Sequence, residues 1–329
     1  MSELRETLLK EPLKDPGLDE IKELSPLVWK LIRLYKKIGG FSVRYVSKAV
    51  DVLRDMVNDQ ECTVFLGFTA NLVATGLRGI LSAVINEGYV DAIVTTGGSI
   101  DHDIARAFSG RYYLGEFEYD DVELKRANIH RLGNILIPFE SYGSLIESKV
   151  HEILDEIISQ KNSWTPSELL RVIGERIDDE SSILYQASRK NVPIFSPGIL
   201  DSAFGTALFT YNEAKRSSSS GTIKLDVLGD MRKMADIIYD SKRLGALILG
   251  GGISKHHIIW WSQFRGGLDY AVYISTAVEW DGSLSGARTR EAISWGKLKP
   301  SARHVFVPAD ATLVFPIIIM GVMGLEGKH

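Results

Sequence analysis

One cysteine in 329 residues, Cys62, is the plainest shortage in this sequence, and it excludes an internal disulfide and any cysteine-cluster metal site. No metal is expected. A lone thiol suits a reducing compartment, and ahead of Thr63-Val64-Phe65-Leu66 it reads as a small core hydrophobe rather than a nucleophile. Charge of one sign is also lacking. The 38 basic and 42 acidic residues leave −4, which makes no field for a polyanion, so nucleic acid is not an expected partner. Residues 1 to 19 hold no apolar core of signal-peptide length. The longest apolar run, Ala311 to Leu325, is broken by Pro316 and falls short of the ~20 residues a membrane span needs. A cytoplasmic protein without membrane contact is expected.

What is present is an ordinary globular composition, 45% hydrophobic and 24% charged, long enough to bury a large core. Residues 1–18 are polar, with two prolines, and read as an arm outside the core. Ile21 to Ile38 reads as a helix with apolar positions at Ile21, Leu24, Leu27, Val28, Leu31, Ile32 and Tyr35, closed by Gly39-Gly40. A second stripe follows at Val46, Ala49, Val50, Leu53 and Val57. These make an N-terminal arm and helical extension over residues 1–58, ahead of an α/β domain over 59–329.

The period then changes. Thr63 to Thr69 and Val90 to Thr96 are continuous apolar runs with a helical segment, Asn71 to Glu87, between them. Such a βαβ pattern belongs to strands covered on both faces. Further strands are expected at Ile135–Ile137, Val192–Phe195, Ala246–Leu249, Tyr270–Ile274 and His304–Val307, with helices between most of them. The fold expected is α/β: a Rossmann-like, open, mostly parallel sheet with helices on both faces. The serine run 217–220 reads as a solvent loop.

The turns after the strands are rich in small residues: Thr69-Ala70-Asn71, Thr96-Gly97-Gly98, Ser196-Pro197-Gly198, Gly250-Gly251-Gly252 and Ser275-Thr276-Ala277. Ligands of open α/β sheets bind at such turns, and small residues let backbone approach a phosphate. None is a G-x-G-x-x-G fingerprint or a P-loop. Beside them, Ser294-Trp295-Gly296-Lys297 sets a lysine among apolar neighbours, where it either lines a pocket or snorkels to solvent.

The longer motifs carry a resemblance. Gly250 to His257, Asp269 to Ala277, Asp281-Gly282-Ser283 through Arg288, Glu291-Ala292 and Ser294 to Lys297 are similar to deoxyhypusine synthase. Phe65-Leu66-Gly67, Asn71-Leu72, Val94-Thr95-Thr96, Tyr113 to Phe117 and Arg131 to Asn134 follow the same family in the same order, so the likeness spans about residues 60 to 316. It implies a transferase that uses NAD to oxidise spermidine. The aminobutyl group then passes through an imine on an enzyme lysine to one lysine of the translation factor 5A precursor. It also implies a homotetramer with active sites at subunit interfaces.

Carried over by motif, the imine lysine falls on Lys297 and the proton-handling histidine on His256. NAD contacts fall on Ala70, Asn71, Leu72, Val73, Ala74, Thr96, Gly97, Gly98, Asp201, Thr276, Ala277, Asp310 and Ala311. Substrate contacts fall on Gly282, Ser283, Glu291 and Trp295, with Asp101 standing in for a lost carboxylate. The departures are His102, Thr206 and Leu284, at positions where eukaryotic members carry acidic groups. They leave open whether the donor is spermidine or a related polyamine, and they keep two rivals in view: transfer to a free diamine, as homospermidine synthase performs, and a non-catalytic NAD-binding paralogue.

The chemistry demands burial. Only about one lysine in a thousand is neutral near pH 7.4 at the ordinary pKa of ~10.4, and a lysine in open solvent stays protonated. His256 can shuttle a proton from a secondary amine because imidazole titrates near working pH. Trp260-Trp261 read as packing or a subunit contact, and Trp280 as core.

Overall fold

The computed structural model describes residues 2–161, 163–216 and 221–326. The serine run at 217–220 lies outside the described residues. Six parallel strands form the main sheet: β1 (Cys62–Gly67), β2 (Ala92–Val94), β3 (Ile194–Phe195), β4 (Arg243–Leu249), β5 (Leu268–Ile274) and β6 (Leu298–Val307). Their order is β6-β5-β4-β1-β2-β3. They are continuous apolar runs because both faces are covered. Leu66, Val272, Val305 and the C-terminal helix Ala311–Glu326 fill one side, while Phe65, Ile248 and Tyr273 meet Met234, Ile238, Ile258 and Ile259 on the other.

The chain leaves β3 at one edge and returns as β4 on the far side of β1. That reversal makes a topological switch point, the usual ligand crevice of such a sheet. Here it brings the turn after β1 against the turn after β4: a side chain on Gly250, whose φ is +87°, would sit 3.2 Å from Thr69 Oγ1.

The run Ile135–Pro138 does not join the main sheet. It forms a small antiparallel sheet with Tyr113–Leu114 and Ile129–Leu132, since a short hairpin connects only neighbouring antiparallel strands. The segment Asn71–Glu87 is also two helices, Ala70–Val73 and Leu77–Asn86, parted at Thr75-Gly76.

The N-terminal segment departs from a free arm. Ser2–Leu8 is helical, Pro12 bridges Tyr113, and Asp15 reaches a buried ion-pair cluster. Arg78, 2% exposed, donates to Asp103, Asp15 and Asp179 at 2.6, 2.9 and 2.6 Å. A guanidinium offers five donors in a fixed fork, so one buried arginine ties three segments together. Backbone complementarity adds to this: a side chain on Gly79 would strike the Pro16 carbonyl at 2.4 Å.

Helices Leu18–Ile38 and Phe41–Val57 pack on the C-terminal helix and the β5–β6 edge of the sheet. The apolar positions expected to form one stripe on the first do not. Ile21 and Ile32 are buried, but Leu24 and Leu27 face outward.

Candidate active site

Lys297 is the residue just before β6. Its amide donates to Ala292 O at 2.9 Å, and its carbonyl accepts from Leu268 N at 3.1 Å and Ser262 Oγ at 3.0 Å. Gly267, with φ +96°, lets that backbone come close, since a side chain there would meet Gly296 O at 2.9 Å. The lysine is therefore fixed at its root and is 8% exposed. It lines a cavity of about 140 Å³ with Lys255, Ile259, Tyr273, Glu291 and Trp295. Of the two readings of the lysine, pocket wall or surface snorkel, the pocket wall holds.

Two indoles frame the ammonium. Nζ of Lys297 lies 5.0 Å from the Trp295 ring centroid and 5.8 Å from that of Trp260. Trp260, expected to be packing or a subunit contact, thus stands at Lys297. It is one helical turn beyond His256, whose ring stacks on it at 5.7 Å and 20°. That i, i+4 spacing on the helix Gly252–Ser262 was the signal that places both on one face. His256 is held below the ordinary imidazole range, first by burial and then by the charge of Lys297, so its neutral form prevails near pH 7. The second histidine, His257, is lowered to about 4, first by burial and then by His256.

Lys255 is a second lysine that motif reasoning passed over. It is 1% exposed, its Nζ donates to Leu284 O and Ala287 O at 2.7 Å each, and it lies 4.7 Å from the Tyr273 ring centroid. Burial lowers its pKa to about 8, while the Glu291 carboxylate opposes the shift. The Tyr273 hydroxyl, in the same wall, is buried with no hydrogen-bond partner among the described residues.

Other expected substrate contacts fare differently. Gly282 and Ser283 lie in an exposed turn held by Asp281. Asp101 is occupied: its carboxylate accepts from Ala203 N at 2.9 Å, Phe204 N at 2.8 Å and Tyr142 Oη at 3.2 Å. It caps the helix Ala203–Lys215 and is 2% exposed, so it does not replace a lost amine-binding group. Asp103 is likewise committed to Arg78, Ser182 and two backbone amides. His102 is buried against Tyr112. Trp280, expected in the core, is 85% exposed because its short 3₁₀ turn projects outward.

The residues carried over for the dinucleotide gather at the carboxyl ends of β1, β2, β3, β5 and β6. Asn71, Asp201, Thr276 and Asp310 are exposed; Ala70, Thr96, Gly98 and Ala277 are half-buried. Leu72, Val73, Ala74 and Ala311 turn their side chains into the protein, leaving only backbone to offer. The helices starting at Ala70 and Gly97 begin without a side-chain cap, which suits their first amides to an anion, whereas the Gly252 amide donates to Ser285 Oγ at 3.2 Å. The turns also lack room for larger residues: a side chain on Gly98 would lie 3.0 Å from Ala70 Cβ, and one on Gly97 would lie 2.5 Å from Ser202 Cβ. These loops fit a dinucleotide pyrophosphate.

Fold and site together give an open parallel α/β protein with a lysine-lined pocket and small-residue turns at the carboxyl ends of its strands. The family model for deoxyhypusine synthase matches residues 30–322. A Sulfurisphaera tokodaii protein named for that enzyme is 50% identical over 320 residues, covering 97% of this chain and 99% of its own. A Sulfolobus acidocaldarius counterpart is 51% identical over 314 residues, covering 95% and 97%. A crystal structure of an Entamoeba histolytica protein described as a deoxyhypusine synthase superposes with a TM-score of 0.59 at 26% identity, over 86% and 88% of the two chains. The chain belongs to the deoxyhypusine synthase family and is a transferase. No described helix is long and apolar enough to cross a membrane.

Proposed function

We propose that this protein transfers the aminobutyl group of spermidine, or a closely related polyamine, to a specific lysine of the translation factor 5A precursor. The reading makes it a cytoplasmic homotetramer. The observation that supports it is the setting of Lys297, an amine desolvated between Trp260 and Trp295 in a cavity that Glu291 also lines. When bound at the carboxyl ends of β1, β2, β3, β5 and β6, NAD would supply a place for hydride to leave the amine and later return.

The chain's own groups do the rest. Glu291 pairs a terminal ammonium, and the indole faces accept cationic carbon next to nitrogen. His256 takes the proton from the secondary amine as its C–N bond becomes an imine. The Lys297 amine then adds to that carbon; the C–N bond to 1,3-diaminopropane breaks, and the butyl imine remains on Nζ. An incoming lysine amine replaces Lys297, and reduction of the new imine completes the transfer. Oxidation and reduction cancel, so no NADH accumulates.

The test is borohydride trapping with NAD and spermidine, read by mass spectrometry. The native chain should gain an aminobutyl adduct on Lys297. Lys297→Ala should lose the adduct and the transfer while retaining part of the amine-dependent NADH signal. Full transfer by that variant overturns the proposal. Offering putrescine beside the factor separates transfer to protein from transfer to a free diamine.

A further inference from the structure

A second cavity, of about 200 Å³, lies where β3 ends, between the helices Pro166–Gly174, Val227–Asp240 and Gly252–Ser262. It shares no lining residue with the cavity at Lys297. Phe195, Pro197, Val227 and Met231 give it an apolar wall, which three polar side chains interrupt: Ser196, Asp230 and His257. The wall is fixed by its own hydrogen bonds. Asp226 caps its helix by accepting from Gly229 N at 2.9 Å, and its amide donates to Trp164 O at 2.8 Å. Val227, Asp230 and Met231, at i, i+3 and i+4, then face the cavity together. A cavity formed in advance needs little ordering to bind.

The protein does not satisfy these polar groups by itself. Ser196 is 3% exposed, and its Oγ has no hydrogen-bond partner among the described residues. The His257 ring meets Trp261 edge-on at 6.2 Å, but neither ring nitrogen is hydrogen-bonded among the described residues. Its imidazole is neutral, so one nitrogen is an acceptor. Asp230, 8% exposed, shares one backbone amide between its oxygens, Ser167 N at 3.2 and 3.0 Å, with the Thr165 and Ser167 hydroxyls beside them. Lys233, the cation that acts on it, is exposed and donates to Ser167 Oγ at 3.4 Å.

A hydroxyl, a neutral imidazole and a carboxylate offer three acceptors around one space. A primary ammonium has three N–H donors and must place them all when it leaves water. An anion would meet the Asp230 charge, and a plain hydrocarbon would leave all three groups unpaired. The Phe195 ring and the Met231 thioether suit the carbons next to a charged nitrogen. We propose that this cavity is a second binding site, one that takes the CH2–NH3+ end of a small primary alkylamine. The proposal does not depend on the chemistry at Lys297.

The test uses the full-length chain labelled with 13C at its six methionine methyls, the Met231 signal being the one that Met231→Leu removes. The probe is n-butylammonium, which has no secondary amine. It should shift the Met231 methyl saturably, and n-butanol, of equal length and no charge, should bind at least tenfold more weakly. Ser196→Ala should raise the Kd read at Met231 on the order of tenfold. Trp295→Ala, in the other cavity, should leave it unchanged. Should Ser196→Ala fail to fold, the wild-type comparison with n-butanol decides. Absence of a saturable shift at Met231 overturns the site, and a shift that weakens in Trp295→Ala does the same. Equal affinity for n-butanol, or an unchanged Kd in a folded Ser196→Ala chain, overturns the ammonium seat.

Discussion

The Nζ of Lys297 lies 5.8 Å from the centroid of the Trp260 ring, although 37 positions of sequence separate the two residues and no motif links them. The contact exists because the helix after β4 and the residue before β6 end at the same side of the sheet. With Trp295 on the other flank, the lysine meets two π faces. Aromatic faces hold a cation without demanding that a buried charge be paired. Trp260→Ala should raise KM for the amine about three- to tenfold, as expected for a half-exposed cation–π contact of ~0.5–1.4 kcal/mol. kcat should change little, and Trp260→Phe should retain most of the affinity. Steady-state kinetics of amine-dependent transfer checks this. A Trp260→Ala enzyme with unchanged KM would remove Trp260 from substrate recognition.

Much of the architecture was legible because parallel strands buried on both faces are continuous apolar runs, and all six main strands fall within or beside runs visible in the sequence. Two-residue strands such as Tyr113–Leu114 and Ser163–Trp164 have no period to read. The stripe at Leu24 and Leu27 was legible as apolar but not as outward, because a heptad seam and a core face share most of their spacings. Asp101 misled because its partners are backbone amides of residues roughly 100 positions away. The pocket lysine was readable from its motif. Lys255, next to the histidine pair, was not, because a single lysine gives no sign of burial.

Lys255 should act through the turn it holds. Its ammonium is the donor shared by the Leu284 and Ala287 carbonyls, and that turn carries Leu284, Ala287 and Arg288 into the pocket wall. Lys255→Met keeps the volume but frees both carbonyls. Charge-assisted hydrogen bonds contribute ~1.5–3 kcal/mol each, and removal of a desolvated charge offsets part of that loss. The expected result is a ten- to hundredfold fall in kcat/KM, on the order of 1.4–2.8 kcal/mol, with a small change in Tm. Calorimetry and kinetics on one preparation decide it. Wild-type kcat/KM in Lys255→Met would leave the lysine a packing residue only.

Arg78 should be the costliest ion-pair residue to remove. Its three carboxylates come from the N-terminal segment, from the helix after β2 and from the loop before Ser182. Arg78→Met leaves buried Asp103 without its counter-charge, while Asp15 keeps Arg106 at 2.9 Å, a loss of roughly 3–5 kcal/mol. Urea unfolding should show this as a lower midpoint with an unchanged slope. Asp15→Asn, which weakens the arm's links to Arg78 and Arg106, should cost less and should make the chain more sensitive to cleavage between residues 9 and 17. Equal stability of Arg78→Met and wild type would show that the cluster contributes nothing net.

Acid should reach this protein through His102. The ring is 7% exposed, with Nδ1 2.8 Å from Tyr112 Oη, and its pKa is lowered to about 4, first by burial and then by the charge of Arg106. Between pH 6.5 and about 4 the unfolded chain binds a proton at this position that the native chain does not. Its contribution is therefore fully present above pH 6.5 and is lost as pH falls through that window, by about 3 kcal/mol at ~1.4 kcal/mol per pH unit. His257 adds in the same direction, whereas Asp15, Asp91, Asp101 and Asp230, whose carboxyl pKa values are raised by burial, act in the opposite one. The clean readout is therefore a difference between two proteins. His102→Asn, which keeps a polar group near Tyr112, should lose about 3 kcal/mol less than wild type between pH 6.5 and 4 in urea titrations. Parallel stability curves for the two would show that His102 does not carry the acid sensitivity.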